Sequence, residues 1–271
     1  MPSPFVLTPQ QLSRLIGLPD GPVLVDVRDA ADRAEDPRLL PASQVLEHQD
    51  VAAWAPAFRD RDVIVICQKG LKLSEGVAAW LRHEGAVAQV LEGGFAAWRA
   101  ARMPLLEPAA IPARDGQGRT VWVTRARPKV DRVACPWLIR RFVDPSAMFL
   151  FVAASQVELV AERFGATPFD IEGVFWTHRG DGCTFDTMLD EFGLRTPTLE
   201  RLAMIIRGAE TSRADLAPQS AGLLAASLGL SRLHRDDLAQ LEAGLALYDA
   251  FHLWCRDATE EVHDWPNQGY A

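Results

Sequence analysis

Val63-Ile64-Val65-Ile66-Cys67-Gln68-Lys69-Gly70-Leu71-Lys72-Leu73-Ser74 is the stretch whose reading decides the fold. Four β-branched apolar residues in succession predict a strand buried on both faces. Glu75 to Leu81 then reads as helix, so Cys67 is expected where a buried strand ends and a helix begins. Amide N–H groups at a helix N-terminus point into such a turn, and the helix dipole favours negative charge there. Lys69 and Lys72 add positive charge, and Gly70 permits a tight loop. A cysteine so placed is expected to act as a thiolate nucleophile.

Strand and helix signals alternate on both sides of this segment. Val23-Leu24-Val25 is a short strand ending in Asp26-Val27-Arg28, and Asp50 to Phe58 suits a helix. Ser74 to His83 suits a helix with Val77, Ala78 and Leu81 inward. Val87 to Leu91 is a strand, Gly93-Gly94 a turn, and Phe95-Ala96-Ala97-Trp98 the opening of a further helix. Alternation of this kind predicts an α/β fold, a mostly parallel sheet with helices on both faces. Ligands on such sheets bind at the carboxyl ends of the strands, where Asp26 and Cys67 both fall.

The pattern breaks after Leu105. Pro108, Pro112, Gly116 and Gly118 mark residues 108–119 as a linker between a domain at 1–107 and one at 120–271. In the second domain Val121-Trp122-Val123, Ala147 to Val152 and Val174-Phe175-Trp176 read as strands. Thr198 to Arg207, Ala217 to Leu228 and Asp236 to Trp254 read as amphipathic helices. An α+β, mostly helical unit is expected. The closing segment from Val262 to Ala271 is expected to be a docking or disordered end.

The string Trp122 to Phe142 is dense in cations. A strand would deliver Arg125, Lys129 would follow in the turn, and Asp131 would start a helix. That helix would carry Cys135, Leu138 and Phe142 on one face. A helix start flanked by Arg125, Lys129 and Arg132 can trap an anion. The alternative is a solvated basic helix with a core stripe. Further on, His178-Arg179-Gly180-Asp181-Gly182-Cys183 is a Gly-rich turn that could contribute to the same site, with Cys183 or Thr184 as a helix cap. His178 and Cys183 could bind a metal with Cys135 or a carboxylate, but a single His and scattered Cys lack tight ligand spacing, so no metal is expected.

Composition limits the partners. Of 271 residues 48% are apolar, which predicts globular folding, and the net charge of −8 disfavours a nucleic-acid partner. The four cysteines, Cys67, Cys135, Cys183 and Cys255, are widely spaced and form no disulfide framework. No apolar run reaches the roughly 20 residues that span a bilayer, and the first residues do not read as a signal peptide. The expected location is the cytoplasm, with no membrane partner.

Asp26-Val27-Arg28, the loop from Cys67 to Lys72, and Leu91-Glu92-Gly93-Gly94-Phe95-Ala96-Ala97-Trp98 together resemble a single rhodanese domain, in the family's order. That resemblance implies sulfane-sulfur transfer with no cofactor. Cys67 would be the nucleophile, taking sulfur from a small-molecule donor as a persulfide and yielding it to an acceptor thiol or other thiophile. Gln68, Lys69, Gly70, Leu71 and Lys72 would form the loop that cradles the sulfur, and Asp26 and Arg28 would brace it. Gln68 and Lys72 stand where the family often has Arg. Lysine keeps the charge but loses the bidentate fork that grips an oxyanion. The departure bears on the donor, not on the nucleophile.

The second half is similar to the C-terminal domain of the chromate-resistance protein ChrB family. The matching strings are Pro128 to Pro145, Pro168-Phe169-Asp170, His178-Arg179, Cys183-Thr184-Phe185-Asp186, Arg207-Gly208-Ala209 and Asp215 to Gly222. The resemblance implies a link to chromate resistance and a chromate or related oxyanion as partner. The candidate site is then Arg125, Lys129, Asp131, Arg132, Cys135, His178, Arg179 and Cys183. Two functions follow as expectations. One is a sulfurtransferase fused to an oxyanion-related domain. The other is a chromate- or metal-sensing protein whose first half is regulatory.

Overall fold

The computed structural model describes residues 5–262, so the closing segment from residue 263 onward lies outside the described residues. Two parallel sheets form among them, one in each half of the chain. The first holds β1 (Val6–Leu7), β2 (Val23–Asp26), β3 (Ser43–Val45), β4 (Asp62–Ile66) and β5 (Val87–Leu91), in the order β1-β5-β4-β2-β3. The expected strand before Cys67 is β4, at the centre. Its side chains alternate between two cores, as the period of two requires. Val63 and Val65 pack with Val25, Val77, Ala78 and Leu81, whereas Ile64 and Ile66 pack with Leu24, Leu91, Phe95 and Trp98.

Those partners place helices on both faces. α1 (Pro9–Ser13) and α5 (Gly94–Ala100) supply Leu12, Phe95 and Trp98 to one core. α3 (Val51–Trp54) and α4 (Lys72–His83) supply Val51, Val77, Ala78 and Leu81 to the other. α2 (Ala30–Glu35) is a short helix capped by Asp29. The helix expected over residues 50–58 is α-helical only at Val51–Trp54, with 3₁₀ turns at His48–Asp50 and Ala55–Phe58. Pro56 has no N–H to donate to the preceding turn, which ends the α-helical ladder.

The second sheet has the order β7-β6-β8, with β6 (Val121–Arg125), β7 (Met148–Val152) and β8 (Thr167–Pro168). The expected strand over 174–176 reduces to one bridge between Phe169 and Trp176. Gly173 turns the chain at φ +83°, and the Trp176 ring stacks on Phe192 with centroids 4.8 Å apart. The aromatic pattern there fills a core instead of building a sheet. β8, which the sequence did not suggest, holds the edge beside β6, a place that a proline lacking its N–H can occupy.

α6 (Asp131–Leu138) runs into a π-helical turn at Ile139–Val143. α7 (Val157–Phe164), α8 (Thr184–Glu191), α9 (Pro197–Glu210), α10 (Gln219–Leu233) and α11 (Asp237–Leu253) complete this half. Cys135, Leu138 and Phe142 are buried, as are Leu199, Leu202, Ile205 and Ile206 of α9. Ala110 and Ile111 of segment 108–119 pack against the core of the second half. Leu106 just before the segment bridges Leu39, and Arg114 pairs with Asp144 at 3.1 Å. The halves also meet at Phe142, whose carbonyl accepts from the Ala42 N–H at 2.7 Å.

Candidate functional sites

At Cys67 the chain leaves the sheet and folds back onto the start of α5. The Cys67 carbonyl accepts from the Phe95 N–H at 2.9 Å, and the Gln68 carbonyl accepts from the Ala96 N–H at 3.0 Å. This backbone contact explains the glycines. Gly94 adopts φ +59°, and a Cβ there would lie 2.1 Å from the Cys67 oxygen. Gly70 adopts φ +65°, and a Cβ there would lie 2.4 Å from the Leu91 oxygen. Only glycine satisfies both the conformation and the close approach.

The Cys67 side chain is 4% exposed, at the edge of a core. Its Sγ lies 3.2 Å from Ser74 Oγ, and Ser74 Oγ donates to the Leu71 carbonyl at 3.0 Å. While the serine proton is given to Leu71, the thiol is the donor in the Cys67–Ser74 contact. An ionised sulfur could receive that proton instead. α4 begins at Lys72, and no side chain caps it at Leu71. Its first N–H groups are therefore not taken up by a cap. Lys69, Leu71 and Lys72 are exposed, and Gln68 is half-buried.

Asp26 and Arg28 form a fully buried pair, 2.8 Å apart at the closest ion-pair atoms. The guanidinium also donates to the Asp36 carbonyl at 2.9 Å and the Arg38 carbonyl at 2.7 Å. It stacks 3.8 Å from the centre of the Phe95 ring. Burial raises the Asp26 carboxyl pKa against the pull of Arg28. Register pairs Asp26 with Ile66, the residue before Cys67. The pair thus links β2, the neighbour of β4, to α5, whose N–H groups donate to the Cys67 and Gln68 carbonyls.

The second cluster sits where β6, α6, α8 and α9 converge. Asp131 is fully buried at the start of α6, and its Oδ2 accepts from the Thr184 N–H at 2.6 Å. Asp170 is buried just beyond β8, and its Oδ1 accepts from Thr184 Oγ1 at 2.8 Å. His178 Nε2 reaches Asp131 Oδ2 at 3.3 Å and Asp170 Oδ1 at 3.4 Å. The two carboxylates, Asp131 first, raise the His178 pKa to about 10. Glu210, at the end of α9, accepts from the Asp131 N–H at 3.2 Å. Burial, with Asp131 nearby, raises its pKa to about 7.

The expected anion site is therefore brought together only in part. Arg132 Nε lies 3.3 Å and Arg125 3.7 Å from the Asp170 carboxylate, so both guanidiniums are turned to an acid of this chain. Lys129 is half-buried, and its side chain makes no hydrogen bond or ion pair among the described residues. Arg179 turns away to Glu191 and stacks 4.7 Å from the Phe175 ring centre. Cys135 and Cys183 are fully buried, and burial raises both thiols well above the ordinary range. The cap expected at the start of α8 is Cys183, whose N–H donates to Asp186 at 3.0 Å. The basic helix start read from the sequence is, in three dimensions, a cluster in which Asp131, Asp170 and Glu210 face Arg125, Arg132 and His178. Asp170 stood in one of the matching strings, but nothing local gave it a role. Glu210 carried no signal at all.

Comparison with known proteins finds two family matches along the chain. The family described as "Rhodanese-like domain" matches residues 8–101, and "ChrB, C-terminal domain" matches residues 122–255. Protein ChrB of Cupriavidus metallidurans is 39% identical over 142 residues, 51% of this chain and 42% of that protein. The chain thus spans less than half the length of this curated relative. Among solved structures, a rhodanese-related protein from Thermoplasma volcanium is 20% identical with a TM-score of 0.33, covering 37% of this chain and 96% of its own. A rhodanese homolog from the extremely thermophilic bacterium Thermus thermophilus is 32% identical with a TM-score of 0.29, covering 34% and 98%. No helix among the described residues is long and apolar enough to cross a membrane. The chain joins a rhodanese-like domain to a ChrB C-terminal domain.

Proposed function

We propose that this protein is a cytoplasmic sulfurtransferase that carries sulfur as a persulfide on Cys67, joined to a domain with a role in chromate resistance. The Cys67 thiolate attacks the outer sulfur of a donor such as thiosulfate. The donor S–S bond breaks, and sulfite leaves with its electron pair. An acceptor thiolate or cyanide then attacks the outer persulfide sulfur, and Cys67 leaves as thiolate. The observation that carries this reading is the position of Cys67 Sγ. It sits at the carboxyl end of the central strand, against the uncapped start of α4, with Ser74 Oγ 3.2 Å away. Uncapped N–H groups and the helix dipole would stabilise negative charge on the terminal persulfide sulfur. Thiocyanate release from thiosulfate and cyanide tests the reading. Turnover by the full chain that is lost in Cys67→Ser supports it, and an inert wild-type protein overturns it.

The ChrB C-terminal match supports the chromate-resistance half of the proposal. Lys129, two residues before Asp131, makes no ion pair among the described residues, and it is the group the proposal assigns to an oxyanion. Calorimetric titration with chromate tests this. Saturable binding weakened in Lys129→Ala supports it, and no heat of binding overturns it.

A further inference from the structure

We propose that Asp131, Asp170 and His178 form a binding site for a divalent first-row transition-metal ion of the Zn²⁺, Co²⁺ or Mn²⁺ class. The three residues come from separate segments, yet one donor atom of each lies within 4.8 Å of the other two. Donors around one such ion, at bond lengths of about 2.0–2.2 Å, sit about 3.3 Å from one another. The His178 Nε2 separations of 3.3 and 3.4 Å from the two carboxylates match that spacing.

A second observation points to a ligand. Asp131 Oδ1 is a buried atom with no hydrogen-bond partner among the described residues, whereas Asp170 Oδ2 faces the Arg132 and Arg125 guanidiniums. A buried carboxylate oxygen without a donor carries a desolvation cost that a bound cation offsets. Thr184 holds the carboxylate oxygens that face His178, through its N–H to Asp131 Oδ2 and its hydroxyl to Asp170 Oδ1. It thus fixes both acids from one point at the start of α8, as outer partners orient metal ligands. Glu210 adjoins the set through the Asp131 N–H, which its carboxylate accepts. Arg132 balances charge at Asp170, 3.3 Å away.

The chemistry of the set selects the ion. One imidazole with two carboxylates suits Zn²⁺, Co²⁺ and Mn²⁺ better than Mg²⁺ or Ca²⁺, which take oxygen ligands. Access is also present, because the His178 side chain is 41% exposed while both acids are buried. An ion can enter past the imidazole. The site is separate from the Cys67 loop, so the inference stands whether or not Cys67 transfers sulfur.

The test uses the full chain, stripped with chelator and then titrated with Co²⁺ by calorimetry and visible absorption, with Zn²⁺ as competitor. One equivalent per chain is expected, displaced by Zn²⁺, with binding at least tenfold weaker in His178→Ala and in Asp170→Asn. Wild-type protein that is folded by circular dichroism and binds neither ion saturably overturns the proposal, whatever the variants do. Binding unchanged in both folded variants overturns it as well.

Discussion

Cys67 and Phe95 are tied to each other through the backbone, the Phe95 N–H donating to the Cys67 carbonyl at 2.9 Å. The Phe95 ring in turn lies under the Arg28 guanidinium, 3.8 Å from its centre. Three segments distant in sequence therefore hold one loop. The motif Asp26-x-Arg28, the cysteine loop and the Gly93-Gly94 turn are parts of a single support for the sulfur.

Gly94→Ala tests that support. The added Cβ would meet the Cys67 oxygen at 2.1 Å in a backbone conformation of φ +59°. The expected cost is about 2–4 kcal/mol, with loss of sulfur transfer. Denaturant midpoints read the first, and thiocyanate release reads the second.

Ser74→Ala tests the serine beside the sulfur. The fold should survive at a cost of about 1 kcal/mol, since one hydrogen bond to Leu71 is lost. Persulfide formation should slow about tenfold, the worth of one hydrogen bond to a charged atom. Stopped-flow mixing with thiosulfate measures the rate, and an unchanged rate would assign Ser74 to the fold alone.

The four thiols should differ sharply in the native protein. Cys135, Cys183 and Cys255 are fully buried, whereas Cys67 keeps 4% of its surface. Iodoacetamide should therefore label Cys67 first, and the other three only on unfolding. Peptide mass mapping after brief labelling reads the order. Native labelling of Cys135 or Cys183 would contradict the packing described above.

Acid stability should depend on His252. It lies between Trp137 and Phe142, and burial, aided by Arg256, lowers its pKa to about 4 from 6.5 against the pull of Asp249 and Asp257. The unfolded chain takes up the proton first. The contribution is therefore full above about pH 6.5 and is lost as pH falls toward 4, by up to about 3 kcal/mol. His252→Leu should flatten that part of the stability curve, measured as urea midpoints between pH 7 and 4. A slope equal to that of the wild type would contradict the assignment.

Much of the first half was legible because its signals are local. The apolar run 63–66 and the strand 87–91 form as read, and α4 begins at Lys72, two residues before the expected Ser74. Gly70 announced a tight loop and Gly93-Gly94 a turn, although not the carbonyls that Gly70 and Gly94 meet. In the second half α9, α10 and α11 were readable from apolar spacing, but α7 was not read, and 174–176 was not a strand, because Trp176 turns into an aromatic core. The cluster at Asp131, Asp170, His178 and Glu210 draws one residue from each of four segments. No window of sequence contains it, and the arginines that looked like an anion trap could not be seen facing Asp170.

The central claim is that Cys67 accepts a sulfur atom, and intact-protein mass after incubation with thiosulfate tests it most directly. The account predicts a gain of one sulfur in the wild-type chain, removed by cyanide and absent from Cys67→Ser. A wild-type mass that does not change, or a gain that persists in Cys67→Ser, would contradict it.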